Sequence, residues 1–165
     1  MDHGGGNLST FSGKAVASGR ASIYAAISSA MSALSGPLHG RANQSCLEFV
    51  KRIGTDDPAD IESFVRRELS ARRPIYGFGH GVLRAEDPRA RLLIELGDEV
   101  CPDDPDFRTV KALREVVPPI LSEIPKISNP YPNVDIASGA LLQSVGFRKP
   151  DYYTTFFGWS RVCLL

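Results

Sequence analysis

Three Asp-Pro pairs, Asp57-Pro58, Asp87-Pro88 and Asp104-Pro105, each stand directly before a run of apolar residues at helical spacing. An aspartate at that point accepts from the free N–H groups of a helix start. Proline fits the first helical position because its missing N–H would have had no partner there. The runs that follow are Ile61, Phe64, Val65 and Leu69; Leu92, Leu93 and Leu96; and Phe107, Val110, Leu113 and Val117, with Pro118-Pro119 predicting a break or kink. Two more runs need no such start. Ile23, Ala26, Ile27, Ala30, Met31 and Leu34 share one helical face up to Gly36-Pro37, and Ala42, Cys46, Phe49, Val50 and Ile53 share another up to Gly54. Ser138 to Val145 and Tyr152 to Leu165 read as two further helices. Period-two alternation, the signature of a half-buried strand, is scarce. The chain is therefore expected to be all-α, with seven or eight helices and no internal repeat.

At 165 residues and 17.9 kDa there is room for one ordinary domain or two small pieces of a larger one. Nineteen basic and nineteen acidic side chains cancel, which argues against a nucleic-acid backbone as partner but leaves room for a local arginine cluster on a small phosphate. Cys46, Cys101 and Cys163 are far apart and match no metal-ligand or disulfide spacing, so no metal site is expected and a reducing compartment is. Residues 21–38 carry no charge, yet five serines and a Gly-Pro break argue against a membrane span and for a buried helix. The first residues lack the basic and apolar regions of a secretory leader. The default expectation is a cytoplasmic location, with the mitochondrial matrix left open.

Two loops rich in glycine, proline and polar residues interrupt the helices, 74–81 and 129–135. Such loops on a rigid scaffold are where sites tend to sit. The three histidines, His3, His39 and His80, all lie beside glycine at predicted breaks, where backbone can approach a ligand closely. Each fits a structural loop histidine as well as a site. Arg89 would project from the first turn of a helix, where positive charge suits a carboxylate or phosphate. Arg84 lies five residues before it, and either arginine fits a solvated surface equally well. Asp135 follows the stiff Tyr131-Pro132-Asn133-Val134, and would either cap the next helix or act as a general base in a dry site.

Taken together, Gly36-Pro37-Leu38-His39-Gly40, Gly77-Phe78-Gly79-His80 leading to Asp87-Pro88-Arg89, and Pro132-Asn133-Val134-Asp135 with Ser138-Gly139 resemble the citrate synthase family in order and separation. Asp2-His3 with Gly5-Gly6-Asn7-Leu8-Ser9, and Tyr152-Tyr153-Thr154 with Phe157-Gly158 and Ser160-Arg161, extend the match toward the branch typified by the mitochondrial enzyme. The resemblance implies a citrate-synthase-like helical fold and a Claisen-type condensation. Acetyl-CoA, or another short acyl-CoA, is deprotonated and adds to oxaloacetate, and the thioester formed is hydrolysed to citrate and CoA. It implies Asp135 as the base, His39 as donor to the thioester oxygen and His80 as donor to the ketone. It further implies His3, Arg89 and Arg161 on substrate carboxylates and Phe157 as an aromatic at the reacting end. Arg84 would meet a CoA phosphate, with Gly77 and Gly79 in the loop beside the adenine. Coenzyme A enters as substrate, and neither a cofactor nor a metal is implied. A thioester α-proton is far less acidic than a carboxylic acid, so a lone carboxylate cannot remove it usefully unless a donor stabilises the developing enolate.

The resemblance also sets expectations about extent. The chain would cover the family's small domain (residues 39–140) and flanking parts of the large domain (1–38 and 141–165). The closing arginine that family members receive from a neighbouring subunit would lie past residue 165, so the 165-residue chain alone is expected to be inactive and the full-length protein a homodimer. Gly4, Arg41 and Trp159 depart from the residues usual at their positions. Two other readings are open: a 2-methylcitrate synthase taking propionyl-CoA, and a non-catalytic helical remnant exposing Tyr153, Phe156 and Phe157. One methylene is worth only about 1–3 kcal/mol of discrimination, too little to be read from sequence.

Overall fold

The structure, a computed structural model, describes residues 7–164; His3 lies outside them. Among the described residues there are eight helices and no strand: α1 (Leu8–Ser18), α2 (Ile23–Leu34), α3 (Ala42–Ile53), α4 (Pro58–Ser70), α5 (Pro88–Val100), α6 (Pro105–Ser122), α7 (Asp135–Ser144) and α8 (Asp151–Leu164). The Asp-Pro starts form as expected. Asp57 Oδ1 accepts from the N–H groups of Ala59 and Asp60 at 2.9 and 3.1 Å, Asp87 Oδ1 from Arg89 at 2.9 Å, and Asp104 Oδ1 from Phe107 at 2.9 Å.

The chain forms two compact units. One comprises Asn43–Pro150. Its core is built from Phe49 and Val50 of α3, Ile61 and Val65 of α4, Ile94 of α5, Phe107, Val110, Leu113 and Val117 of α6, and Ile136 and Ala140 of α7. Helix α6 does not break at Pro118-Pro119 but runs on to Ser122. Buried Val117, Ile120 and Leu121 hold both sides of the prolines in the core, and that burial outweighs the lost hydrogen bonds. Leu92 and Leu96 are exposed, and the buried stripe of α5 is Ala90, Ile94 and Gly97 instead. Phe107 lies so close over Gly97 that any side chain there would meet its ring.

The other unit holds residues 7–42 and 151–164. Helix α1 has no apolar stripe to announce it; its buried face is Ser9, Thr10 and Gly13. Small residues let it lie close to α2, where Ser12 and Ser29 hydroxyls meet at 2.5 Å. Helix α2 is not the buried helix expected: Ile23 and Tyr24 are exposed, and only Ala30 and Leu34 are buried. Tyr153 of α8, expected to be exposed in a helical remnant, is buried. No helix among the described residues is long and apolar enough to cross a membrane.

Candidate active site

Loops 74–81 and 129–135, separate in sequence, are stitched into one platform within the unit Asn43–Pro150. Phe78 and Pro132 form an antiparallel bridge. The Gly79 N–H donates to Tyr131 O at 3.0 Å, the Asn133 N–H to Gly77 O at 2.9 Å, and the Asn133 side-chain amide to Gly79 O at 2.9 Å. Gly77 and Gly79 both have positive φ, at 83° and 81°, a region in which residues other than glycine are strained. A Cβ on Gly77 would stand 2.7 Å from Ile136 Cδ1 and 2.9 Å from Cys46 Sγ, so the loop backbone rests directly on α3 and the first turn of α7.

That contact positions Asp135. It is the first residue of α7, whose N-cap Val134 makes no side-chain cap bond, so Asp135 is not a capping residue. Its own N–H donates to Asn133 Oδ1 at 3.0 Å. Burial pushes its carboxyl up to about 6; the Arg89 charge and the Asn43 amide pull the other way, and the Asp87 charge adds to the rise. Cys46, fully buried beside it, has its thiol pushed up by burial and by the Asp135 charge, and so stays neutral.

His80 stands exposed at the end of the glycine loop. Its Nδ1 accepts from the N–H groups of Val82 and Leu83, both at 3.0 Å. An Nδ1 engaged twice as acceptor leaves Nε2–H as the donor the ring presents. Arg84 curls over the same turn, its Nη1 donating to Leu83 O at 2.8 Å. Arg89 forks onto Asp87, Nε to Oδ1 at 3.0 Å and Nη2 to Oδ2 at 2.7 Å, and Nη1 takes no part in that fork. Burial of Asp87 works against its ionisation, but the Arg89 guanidinium holds its carboxyl below the usual range. Asp87 is almost wholly buried while the Arg89 side chain is 59% exposed, so a fixed anion orients a cation that still faces solvent.

In the other unit, His39, Phe157 and Arg161 come together. His39 Nε2 accepts from the Ser9 N–H at 3.2 Å and lies 3.0 Å from Ser9 Oγ. Nε2 is therefore the bare nitrogen and Nδ1 carries the proton, the opposite tautomer from His80. Burial and the Arg161 charge lower the His39 pKa, which keeps the ring neutral. Phe157 meets the His39 ring edge-on at 6.2 Å and lies under the Arg161 guanidinium at 5.3 Å. Arg161 is 3% exposed, its one hydrogen bond among the described residues is a 3.4 Å contact to Thr10 Oγ1, and its Nε has no partner. Burial lowers its pKa. A buried cation without a carboxylate is costly, and an incoming anion would relieve it.

Of the ten site residues expected from sequence, the structure groups His39, Phe157 and Arg161 in one unit, and Gly77, Gly79, His80, Arg84, Arg89 and Asp135 in the other; His3 is outside the described residues. Sequence reasoning did not single out Ser9, which fixes the His39 tautomer, or Asn43, which faces Asp135. A serine at the start of a helix gives no signal of its own, and Asn43 was hidden inside an apolar pattern.

The described residues are all-helical apart from loops and turns, and each unit carries one imidazole whose hydrogen bonds select a tautomer. The family model described as citrate synthase, C-terminal domain, matches residues 1–163. The chain is 43% identical to citrate synthase 4, mitochondrial, of Arabidopsis thaliana and 44% identical to 2-methylcitrate synthase, mitochondrial, of Yarrowia lipolytica, in each case over 97% of its own length. It spans 35% and 36% of those relatives, about a third of each. Among solved structures it matches a citrate synthase of Thermoplasma acidophilum, in ternary complex with carboxymethyl coenzyme A and oxaloacetate, with a TM-score of 0.76 and 28% identity over 91% of this chain and 39% of that one. The chain belongs to the citrate synthase family, whose members are transferases acting on acyl groups.

Proposed function

We propose that this chain supplies the acid–base groups of a citrate synthase, condensing acetyl-CoA with oxaloacetate and hydrolysing the product to citrate and free CoA. The observation that carries the reading is Asp135: a first-turn aspartate that does not cap its helix and whose carboxyl is raised to about 6. A base is most effective when its pKa lies near the working pH. Asp135 takes a proton from the acyl methyl group while the His39 Nδ1–H donates to the thioester oxygen. The enol carbon then bonds to the ketone carbon of oxaloacetate. His80 hydrogen-bonds that ketone oxygen through Nε2–H and stabilises the alkoxide, which takes its proton from water. Water then cleaves the C–S bond of the thioester, releasing the thiol. Losing one donor of this kind costs on the order of 3–4 kcal/mol in related chemistry.

In this reading Arg89, Arg161 and His3 hold the carboxylates of oxaloacetate, Phe157 lines the reacting end, and Arg84 with the Gly77–Gly79 loop takes the CoA end. Arg161 supports its part by being buried with no carboxylate paired to it among the described residues. Coenzyme A is part of the substrate, and the proposed steps use only imidazole donors and a carboxylate, so no resident cofactor is proposed. The Thermoplasma protein's ligands support acyl-CoA and oxaloacetate as the reactants. The names of the relatives support a mitochondrial matrix location over the cytoplasmic default, and a homodimer is the proposed assembly.

The test is a chimaera in which residues 1–165 replace the matching third of the Arabidopsis relative, assayed for thiol release from acetyl-CoA on adding oxaloacetate. Release that falls at least ~100-fold in Asp135→Asn is the expected result. A folded chimaera that releases no thiol from acetyl-CoA or propionyl-CoA overturns the proposal.

A further inference from the structure

The turn that carries His80 belongs to no helix. Residues 80–84 follow the glycine loop, and all but half-buried Leu83 are exposed. Most of their hydrogen bonds are internal. The Val82 and Leu83 N–H groups converge on His80 Nδ1, and the Arg84 side chain donates back to the carbonyls of His80, Gly81 and Leu83. Among the described residues, one hydrogen bond reaches this turn from outside: the Asn129 side-chain amide donates Nδ2–H to Leu83 O at 2.8 Å. Asn129 is 3% exposed, and its Oδ1 accepts from the Tyr131 N–H at 2.9 Å. Both ends of the amide are thus committed. Rotating it by a half-turn would set Nδ2 against an N–H and Oδ1 against a carbonyl, so this orientation alone satisfies its neighbours. The backbone beside it is anchored too, because Tyr131 O accepts from the N–H of Gly79, the residue before His80. A buried amide therefore pins Leu83, whose own N–H helps to hold the imidazole.

We propose that Asn129 is a positioning residue for the reaction above: by holding Leu83 O it fixes the 80–84 turn, and with it the ring nitrogen through which His80 donates. The inference rests on the proposed role of His80. The N–H groups that occupy Nδ1 belong to an exposed turn with one buried anchor. Without that anchor the ring is free to exchange tautomers. Arg84 also donates to Leu83 O, but it is exposed and is the group that meets a CoA phosphate in the proposed reaction, so Asn129 is the donor that remains. An Asn129 that served only its own loop, through the Tyr131 N–H, would leave His80 unaffected by loss of the amide nitrogen.

The test uses Asn129→Asp, which keeps an oxygen for the Tyr131 N–H and removes the donor to Leu83 O; Asn129→Ala removes both. Imidazole ¹⁵N NMR of the 165-residue chain at pH 8, with His80 assigned by its loss in His80→Gln, reads the tautomer. The wild type is expected to show one His80 tautomer, with bare Nδ1. Asn129→Asp is expected to show a mixture of two, with the Val82 and Leu83 amides exchanging with solvent about tenfold faster. In the chimaera the same substitution is expected to lower kcat about tenfold and to leave KM for acetyl-CoA within about twofold. If Asn129→Ala does not fold by circular dichroism, Asn129→Asp decides the matter. A wild type with mixed His80 tautomers, or a folded Asn129→Asp whose His80 spectrum and amide exchange match the wild type, overturns the proposal. A loosened tautomer with no thiol release from the unsubstituted chimaera would refute the condensation and keep the tie; thiol release with an unmoved tautomer would do the reverse.

Discussion

Replacing Asp135 with asparagine is expected to stabilise the chain at neutral pH while removing the proposed base. Burial raises this carboxyl from 3.8 to about 6. A group whose folded pKa lies above its unfolded value stabilises fully below the unfolded pKa, here 3.8, and loses that contribution as pH rises through 6. At pH 8 the folded chain therefore bears the cost of an ionised, poorly hydrated carboxylate. A rise of about two units corresponds to ~3 kcal/mol. Asp135 is only half-buried, so about 2 kcal/mol is the better figure. Asparagine keeps the shape of the side chain. Urea unfolding followed by circular dichroism at pH 4 and pH 8 is the assay. With a slope of about 2 kcal/mol per molar, the variant's midpoint should lie ~1 M higher at pH 8 and nearly coincide at pH 4. A variant no more stable than wild type at pH 8, or one whose advantage is the same at both pH values, would refute the reasoning.

Glu68 reports the opposite sign. Arg73 and Arg52 hold its carboxyl near 2 against the effect of burial, a stabilisation present above pH 4.5 and lost as pH falls toward 2. Because both arginines are about half exposed, Glu68→Gln should cost about 1–2 kcal/mol at pH 7, with the gap closing in acid melts. Gly97→Ala would put a Cβ 2.2 Å from two ring carbons of fully buried Phe107, and should lower stability by about 3 kcal/mol, or roughly 6–12 °C in a thermal melt. Gly77→Ala forces a side chain into φ +83° and against the Ile136 backbone at 3.1 Å. It should lift the loop off α7 and reduce thiol release in the chimaera on the order of 100-fold, with far-UV circular dichroism little changed.

Much of the fold was legible because its signals are local. Asp-Pro pairs act within one turn, so α4, α5 and α6 begin where the sequence puts them. What the sequence hid depends on partners. Helix α1 buries serine, threonine and glycine, residues that carry no periodic signal but permit close approach to α2. Leu92 and Leu96 pointed to the wrong side of α5, whose buried stripe is Ala90, Ile94 and Gly97, with the Phe107 ring seated on the glycine. Pro118-Pro119 reads as a break or kink in isolation, yet the apolar residues on both sides carry the helix through to Ser122.

The same division runs through the candidate site. Residue types, loop positions and the family resemblance pointed to His39, His80 and Asp135 as candidates, but not to the groups that surround each. An imidazole donates from one nitrogen only, and which one depends on what the other accepts. Ser9 and the Val82–Leu83 backbone make that choice in opposite senses. His39 is left with Nδ1–H and His80 with Nε2–H as the donor each presents, and in the proposed reaction those are the groups that would face a developing oxyanion. Exchanging the tautomers would remove both donors while changing no residue of either motif. The helix starts and backbone turns that set these protonation patterns are therefore as much a part of the chemistry as the histidines.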